Sequence, residues 1–281
     1  MRIFVAPAVL LVTSHLFAGT VPASNHVFIV LEENHSYSSV IGNSAMPYLN
    51  SLAKKHGLAS QYYATTHPSI GNYFMLTTGQ VITNNDSFCS TITQDNVVRH
   101  LLTAGKTFKS YAESLPSTGY TGCSSYPYVK RHNPIAYFSD VANSGEKYNL
   151  VSFSQFSKDL TNGNLPNFSF IVPNLLHDAH DGSLSAADLW LKTNIAPLIA
   201  STTFQKGGIL IIVFDESVDT DKQHGGGHVV SIVVGPKVKP GYRSTILYQH
   251  HNALKTLMKA LGLGSYPGAA STAPPMSDFF Y

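Results

Sequence analysis

Charge is scarce in this chain. Only 12% of its 281 residues are Asp, Glu, Lys or Arg, and the formal net charge is +2 with no basic run. Such a chain offers no electrostatic footprint for nucleic acid and none for an anionic membrane surface. Long apolar runs are missing too: beyond the N-terminus nothing approaches the ~20 apolar residues of a spanning helix, so stable membrane insertion is not expected. No internal repeat or low-complexity linker is visible. The sequence has no G-x-S-x-G nucleophile elbow, no H-E-x-x-H zinc helix and no G-x-x-x-x-G-K-[ST] phosphate loop, so the chemistry tied to those motifs is set aside.

Cysteine is nearly absent as well, with Cys89 and Cys123 the only two. Met1-Arg2, the apolar stretch from Ile3 to Val12 and the small-residue pattern Val21-Pro22-Ala23 read as a secretory signal peptide over residues 1–23. That leaves 24–281 as one domain, secreted or periplasmic, and a hydrophobic content of 43% gives it a real core. In an oxidising compartment the two cysteines are expected to pair, closing a loop of about 35 residues worth a few kcal/mol.

What the chain does have is a set of short apolar runs that end in polar chemistry. HVFIVL (26–31) leads into Glu32-Glu33-Asn34-His35, and FSFIVP (168–173) into Asn174, His177, Asp178, His180 and Asp181. GILIIVF (208–214) leads into Asp215-Glu216, and Gly225-Gly226-Gly227-His228 opens the last run, VVSIVV. Runs rich in Val, Ile and Phe read as parallel strands buried on both faces. Between them lie helical patterns at 45–56, 70–76, 93–104, 183–200 and 251–261, with Pro197 expected to limit or kink one of them, and further strands near 59–64 and 107–111. A Tyr-, Ser-, Pro- and Gly-rich excursion fills 116–147. The order predicts an α/β fold, a three-layer αβα sandwich around a mostly parallel sheet. Ligands of such sheets sit beyond the carboxyl ends of the strands, where these polar residues gather.

Ser69 is the candidate nucleophile. It follows His67-Pro68 at the start of a helical pattern, where unpaired backbone N–H groups favour an anion. The same position also reads as a helix N-cap with Pro68 as punctuation, and the two roles can coexist. Asn72, one helical turn on, and His67 are the candidate phosphate-binding groups. Glu33 and Asn34 can converge only where their strand ends. Their oxygens, with the Asp215-Glu216 pair, suit one hard divalent cation; Glu32 is expected to be salt-bridged or to cap a helix. His180 and His228 complete the set, His228 being preferred to His224 because three glycines let the backbone approach a ligand closely.

Taken together, IVLEENHS, THPSIGNYFMLTTG, IVPNLLHDAH, IVFDES and GGGHVVSIVVGP resemble, in order and over nearly the whole mature chain, the secreted phosphoesterase family of the alkaline phosphatase superfamily. That family includes acid phosphatase A-type enzymes and bacterial phospholipases C. The resemblance implies an alkaline-phosphatase-like fold and hydrolysis of a small phosphate ester or a phospholipid headgroup. It also implies Glu33, Asn34, Asp215 and Glu216 as metal positions, Ser69 as nucleophile, and His180 and His228 as phosphate-facing or proton-transferring histidines. Two-metal members of the superfamily carry an Asp-x-x-x-His set and an Asp-His pair; here the equivalents read Asp-Ala-His and Asp-Glu, which points to a single metal. The chain ends at Tyr281, short of the extra domains of the larger phospholipases C, which turns the expectation toward a compact phosphatase. The rivals are a phospholipase C or other phosphodiesterase on the same scaffold, and a non-catalytic secreted protein that binds a metal or another ligand.

Overall fold

The computed structural model describes residues 19–281, so residues 1–18 of the expected signal peptide lie outside the described residues. Among the described residues ten strands form: β1 Val27–Glu32, β2 Gly57–Ala59, β3 Tyr62–Tyr63, β4 Phe108–Ala112, β5 Leu150–Ser152, β6 Phe168–Val172, β7 Ile209–Phe214, β8 Ser231–Val234, β9 Arg243–Ser244 and β10 Tyr248–Gln249. Eight build the main sheet in the order β5-β4-β6-β1-β7-β8-β2-β9, and β10 pairs with β3 apart from it. The most apolar runs, β1, β6 and β7, occupy the centre, and every one of their residues is buried.

Pairing is parallel from β5 across to β7. The exception is β8, which runs antiparallel to both β7 and β2. A run buried on both faces reads the same in either direction, so the sequence predicts the strand but not its sense. The reversal matters for position. The start of β8, and with it the Gly225–His228 segment, arrives at the rim where β1, β6 and β7 end.

The longer helices are α1 Pro47–Lys55, α2 Ser69–Thr78, α3 Val97–Thr103, α4 Ser154–Asn162, α5 Leu184–Ala200 and α6 His250–Ala260. Each carries its own start or stop signal. Pro47 opens α1, whose amides at Tyr48 and Leu49 are capped by the buried carboxylate of Asp188 on α5 at 2.9 and 2.8 Å. Asn96 caps α3, Ser183 caps α5, and Gln249 and Asn252 form a capping box on α6. Gly79 ends α2 in the left-handed conformation, with φ 66°. Pro197 lies within α5 rather than ending it. The strand expected at 59–64 is split into β2 and β3. α2 packs with α6 on one side of the sheet, and α1 with α5 on the other. Cys89 and Cys123 are disulfide-bonded and pin the excursion that follows. No helix among the described residues is long and apolar enough to cross a membrane.

Candidate active site

The end of β1 explains how two adjacent side chains meet at one point. Glu33 N donates to the Asp178 carbonyl at 2.7 Å, and Asp215 N to the Glu32 carbonyl at 3.0 Å, so three strand ends are laced together. Asn34 then takes a left-handed backbone, φ 53°, and its N–H donates to Asp215 Oδ1 at 3.2 Å. Asparagine tolerates that conformation better than most residues. Glu33 and Asp215 follow paired positions of β1 and β7, so both leave the same face of the sheet, toward α2.

Ser69 is the first residue of α2, with Pro68 at the cap position. Its hydroxyl points away from the helix amides and into the acidic cluster. Oγ lies 3.0 Å from Glu33 Oε2, 3.1 Å from Glu216 Oε1 and 3.5 Å from Asn34 Oδ1. One proton thus faces three acceptors. Asp215 Oδ2 is buried with no hydrogen-bond partner among the described residues. Burial, together with mutual repulsion, holds Glu33 and Asp215 well above the usual carboxylate range. Glu216 is pushed up to about 8, first by burial. Three carboxylates, an amide oxygen and a hydroxyl, with one oxygen orphaned, form a donor set that fits a hard divalent cation.

Two neighbours, Tyr73 and His132, pack on Glu33, and Asp178 and His180 lie beyond them. Tyr73 is one helical turn beyond Ser69 and donates its hydroxyl to Glu33 Oε1. His132 is sandwiched between carboxylates, with Nδ1 3.1 Å from Asp178 Oδ2 and Nε2 3.3 Å from Glu33 Oε1, and its ring stacks on Tyr73. Asp178 is raised to about 7, chiefly by burial. His180 accepts from Arg131 Nη2 at 3.3 Å on Nε2, so its Nδ1 carries the proton and donates to Asp181 at 2.7 Å. Glu33 therefore gains two unforeseen neighbours, His132 and Tyr73. The i, i+4 spacing from Ser69 was a signal for Tyr73. His132 had none, because it lies in an excursion without strand or helix periodicity.

The other expected site residues have partners of their own. Asn72 is expected at the phosphate, and its amide also ties the turn before α2, with one of its two Nδ2 hydrogens left over. Oδ1 accepts from Thr65 N and Thr66 N at 3.0 and 3.1 Å, and Nδ2 donates to the Thr66 carbonyl at 2.8 Å. His67 has no nitrogen left for substrate: Nδ1 is 2.6 Å from Glu216 Oε2, and Nε2 donates to the Asp221 carbonyl at 2.9 Å. It orients Glu216. His228 is stacked between Tyr37 and Tyr63, with Nε2 donating to the Ser60 carbonyl at 3.1 Å, and makes no contact with the Ser69 cluster. The glycines before it serve the fold. A Cβ on Gly225 or Gly226 would lie 2.0 or 2.3 Å from the carbonyl oxygens of Thr65 and Thr66. Glu32 leaves the opposite face of the sheet; it neither bridges nor caps, and both its oxygens are buried without a partner among the described residues.

Known proteins resemble this chain in sequence and in fold. The model of the phosphoesterase family matches residues 43–264. The chain is 36% identical over 268 residues to the phosphatidylinositol-3-phosphatase of Mycobacterium tuberculosis, covering 94% of this chain and 86% of that one. It is 30% identical over 256 residues to an acid phosphatase of Aspergillus fumigatus, covering 86% of this chain but only 56% of the fungal enzyme. A solved structure of a protein in the alkaline phosphatase superfamily from Vibrio parahaemolyticus matches with a TM-score of 0.60 at 12% identity, covering 93% of this chain and 74% of that one. At that identity the likeness is one of fold.

Proposed function

The chain belongs to the phosphoesterase family and is a phosphoric ester hydrolase, and from that premise we propose that Ser69 is its nucleophile, acting as a phosphatase through a phosphoseryl intermediate. The observation that carries this reading is the Ser69 hydroxyl held between Glu33 Oε2 and Glu216 Oε1 at 3.0 and 3.1 Å. A buried serine hydroxyl among these oxygens lies where a cation held by them would lower its pKa.

Glu33, Asn34, Asp215 and Glu216 are the residues that would hold a divalent cation, which when bound supplies positive charge that favours the serine alkoxide and the oxygen charge developing at phosphorus. The chain's own groups do the rest. Ser69 Oγ passes its proton to the flanking Glu216 or Glu33 carboxylate and forms a bond to phosphorus as the ester P–O bond breaks in line with it. The departing oxygen takes a proton from His180, whose Nδ1 is already oriented by Asp181. In the second half, water attacks phosphorus and gives one proton to His180, and Ser69 leaves, taking its own proton back from the carboxylate. His67, Tyr73 and His132 keep the carboxylates aimed at the hydroxyl throughout.

The mycobacterial relative's name supports a lipid headgroup phosphate as one substrate, and the fungal relative's name supports a broader phosphatase. Secretion belongs to the same reading, supported by the signal-like N-terminus and by the Cys89–Cys123 disulfide. Ser69→Ala should abolish turnover of a chromogenic phosphate ester while the circular dichroism spectrum stays unchanged. Retained turnover removes Ser69 from the chemistry. Chelation should silence the wild-type enzyme, and one divalent cation should restore it.

A further inference from the structure

We propose that Arg131 grips the phosphate of the substrate and makes the site selective for dianionic phosphomonoesters over diesters. The proposal rests on the reading of Ser69 as the point of attack, and it adds the group that selects what is attacked.

Two routes bring Arg131 to the nucleophile. Ile70, next to Ser69, donates its backbone N–H to Asp86 Oδ1 at 3.2 Å, and the other oxygen of that carboxylate is 3.6 Å from Arg131 Nε. From the other side, Arg131 precedes His132, which reaches Glu33 Oε1 at 3.3 Å, and Glu33 Oε2 accepts from Ser69. The start of α2 and the guanidinium therefore face one carboxylate, Asp86, as they would face a phosphate. Asp86 is the resting counter-ion of a pole built for an anion.

The guanidinium is underused. Its one hydrogen bond among the described residues is Nη2 to His180 Nε2 at 3.3 Å, and Nε is buried and makes none. Arginine has five N–H donors in a planar fork. The preceding cation, Lys130, cannot take the role, because its Nζ is tied to the carbonyls of Cys89 and Thr121 at 2.9 and 2.8 Å.

Charge balance requires such a group. Glu33, Asp215 and Glu216 together outweigh one divalent cation once they are ionised, so a phosphate dianion would enter a site that is already negative. Arg131 supplies the missing positive charge, and its fork pairs two terminal oxygens at once. A monoester has three terminal oxygens, so two remain for the fork when one faces the acidic cluster and its cation. A diester has only two, and the fork keeps one. When Arg131 turns to the phosphate it also releases His180 Nε2, which accepts in the resting site and is then free to take up a proton.

The test uses cation-loaded enzyme, with inorganic phosphate as the probe and paired aryl monoester and diester substrates. In Arg131→Gln the inhibition constant for phosphate should rise at least ~10-fold, and kcat/KM for the monoester should fall at least ~10-fold more than for the diester. Arg131→Lys keeps the charge but loses the fork, and should fall between the two; it carries the test alone if the Gln variant does not fold. Phosphate inhibition within about 2-fold of wild type, or equal losses on both substrates, overturns the proposal. Calorimetric phosphate binding to Ser69→Ala, with and without Arg131→Gln, needs no turnover. It therefore reads Arg131 even if Ser69 proves not to be the nucleophile.

Discussion

His132 Nε2 lies 3.3 Å from Glu33 Oε1 with both side chains shut off from solvent and no hydrogen bond between them, so a residue from the least regular part of the chain packs on a strand-end carboxylate of the site. Burial, with Arg131 and His180 adding to it, pushes the pKa of this imidazole down, so it sits as a neutral ring between Glu33 and Asp178. Groups that orient a ligating carboxylate typically cost 10–100-fold in metal affinity or activity when removed. His132→Ala should therefore weaken divalent-cation binding by about that factor, measured by calorimetric titration of the chelated protein. Unchanged cation affinity would make His132 a packing residue only.

The segment that presents Arg131 and His132 is held by three ties. The Cys89–Cys123 disulfide closes it, and Lys130 Nζ bonds the Cys89 and Thr121 carbonyls while lying 4.4 Å from the centre of the Tyr137 ring. Loss of the disulfide should cost about 3–4 kcal/mol on the loop-entropy account. The Cys89→Ala/Cys123→Ala double variant should thus melt earlier and also lose most of its activity well below its melting temperature, because the catalytic groups lose their register. Full activity at such temperatures would show that the ties serve stability alone.

Legibility divides along physical lines. Strand ends were readable because a buried apolar run has few other meanings, and Glu33, Asn34, Asp215 and Glu216 follow such runs directly. Ser69 was readable from its place before a helix. His67 reads as a ligand because sequence shows which groups are near a nucleophile and not which partners already hold them. The three glycines pointed to His228, whereas they fit the backbone against Thr65 and Thr66. His132 was invisible because its place is set by a disulfide, a buried lysine and a meandering loop, none of which has a period. Adjacent Glu32 and Glu33 were separable only by asking which face each leaves, and that depends on where β1 stops.

Glu32 yields a prediction of opposite sign to most core substitutions. Both its oxygens are buried and unpartnered, and burial, then Asp178 and Asp188, holds its pKa well above the ordinary value. A carboxyl so raised favours the folded state only while it stays protonated, so it costs stability as pH climbs past the value of the unfolded chain. Glu32→Met should increase the unfolding free energy at pH 8 by ~1–3 kcal/mol, and the gain should shrink toward pH 5. Urea titrations at the two pH values check this. A loss of stability at pH 8 would mean that Glu32 has a partner under those conditions.

The acidic cluster predicts how pH and cation act together. Glu216 is raised to about 8, first by burial and then by Asp86 and Asp219, against the opposing hydrogen bond from Ser69; Glu33 and Asp215 are raised too. Between the unfolded value of about 4.3 and that folded value, the folded chain binds more protons than the unfolded one. Unfolding free energy of the chelated protein therefore falls as pH rises through this window, by at most about 1.4 kcal/mol per unit for each such group. A divalent cation reverses the trend, because it takes the place of the protons and meets less competition at higher pH. The rise in melting temperature on adding cation should consequently be small at pH 5 and large at pH 8, and the difference isolates this cluster from carboxylates elsewhere. Melting curves in chelator and in excess cation at both pH values measure it, and equal shifts would mean that the cation binds somewhere other than among Glu33, Asp215 and Glu216.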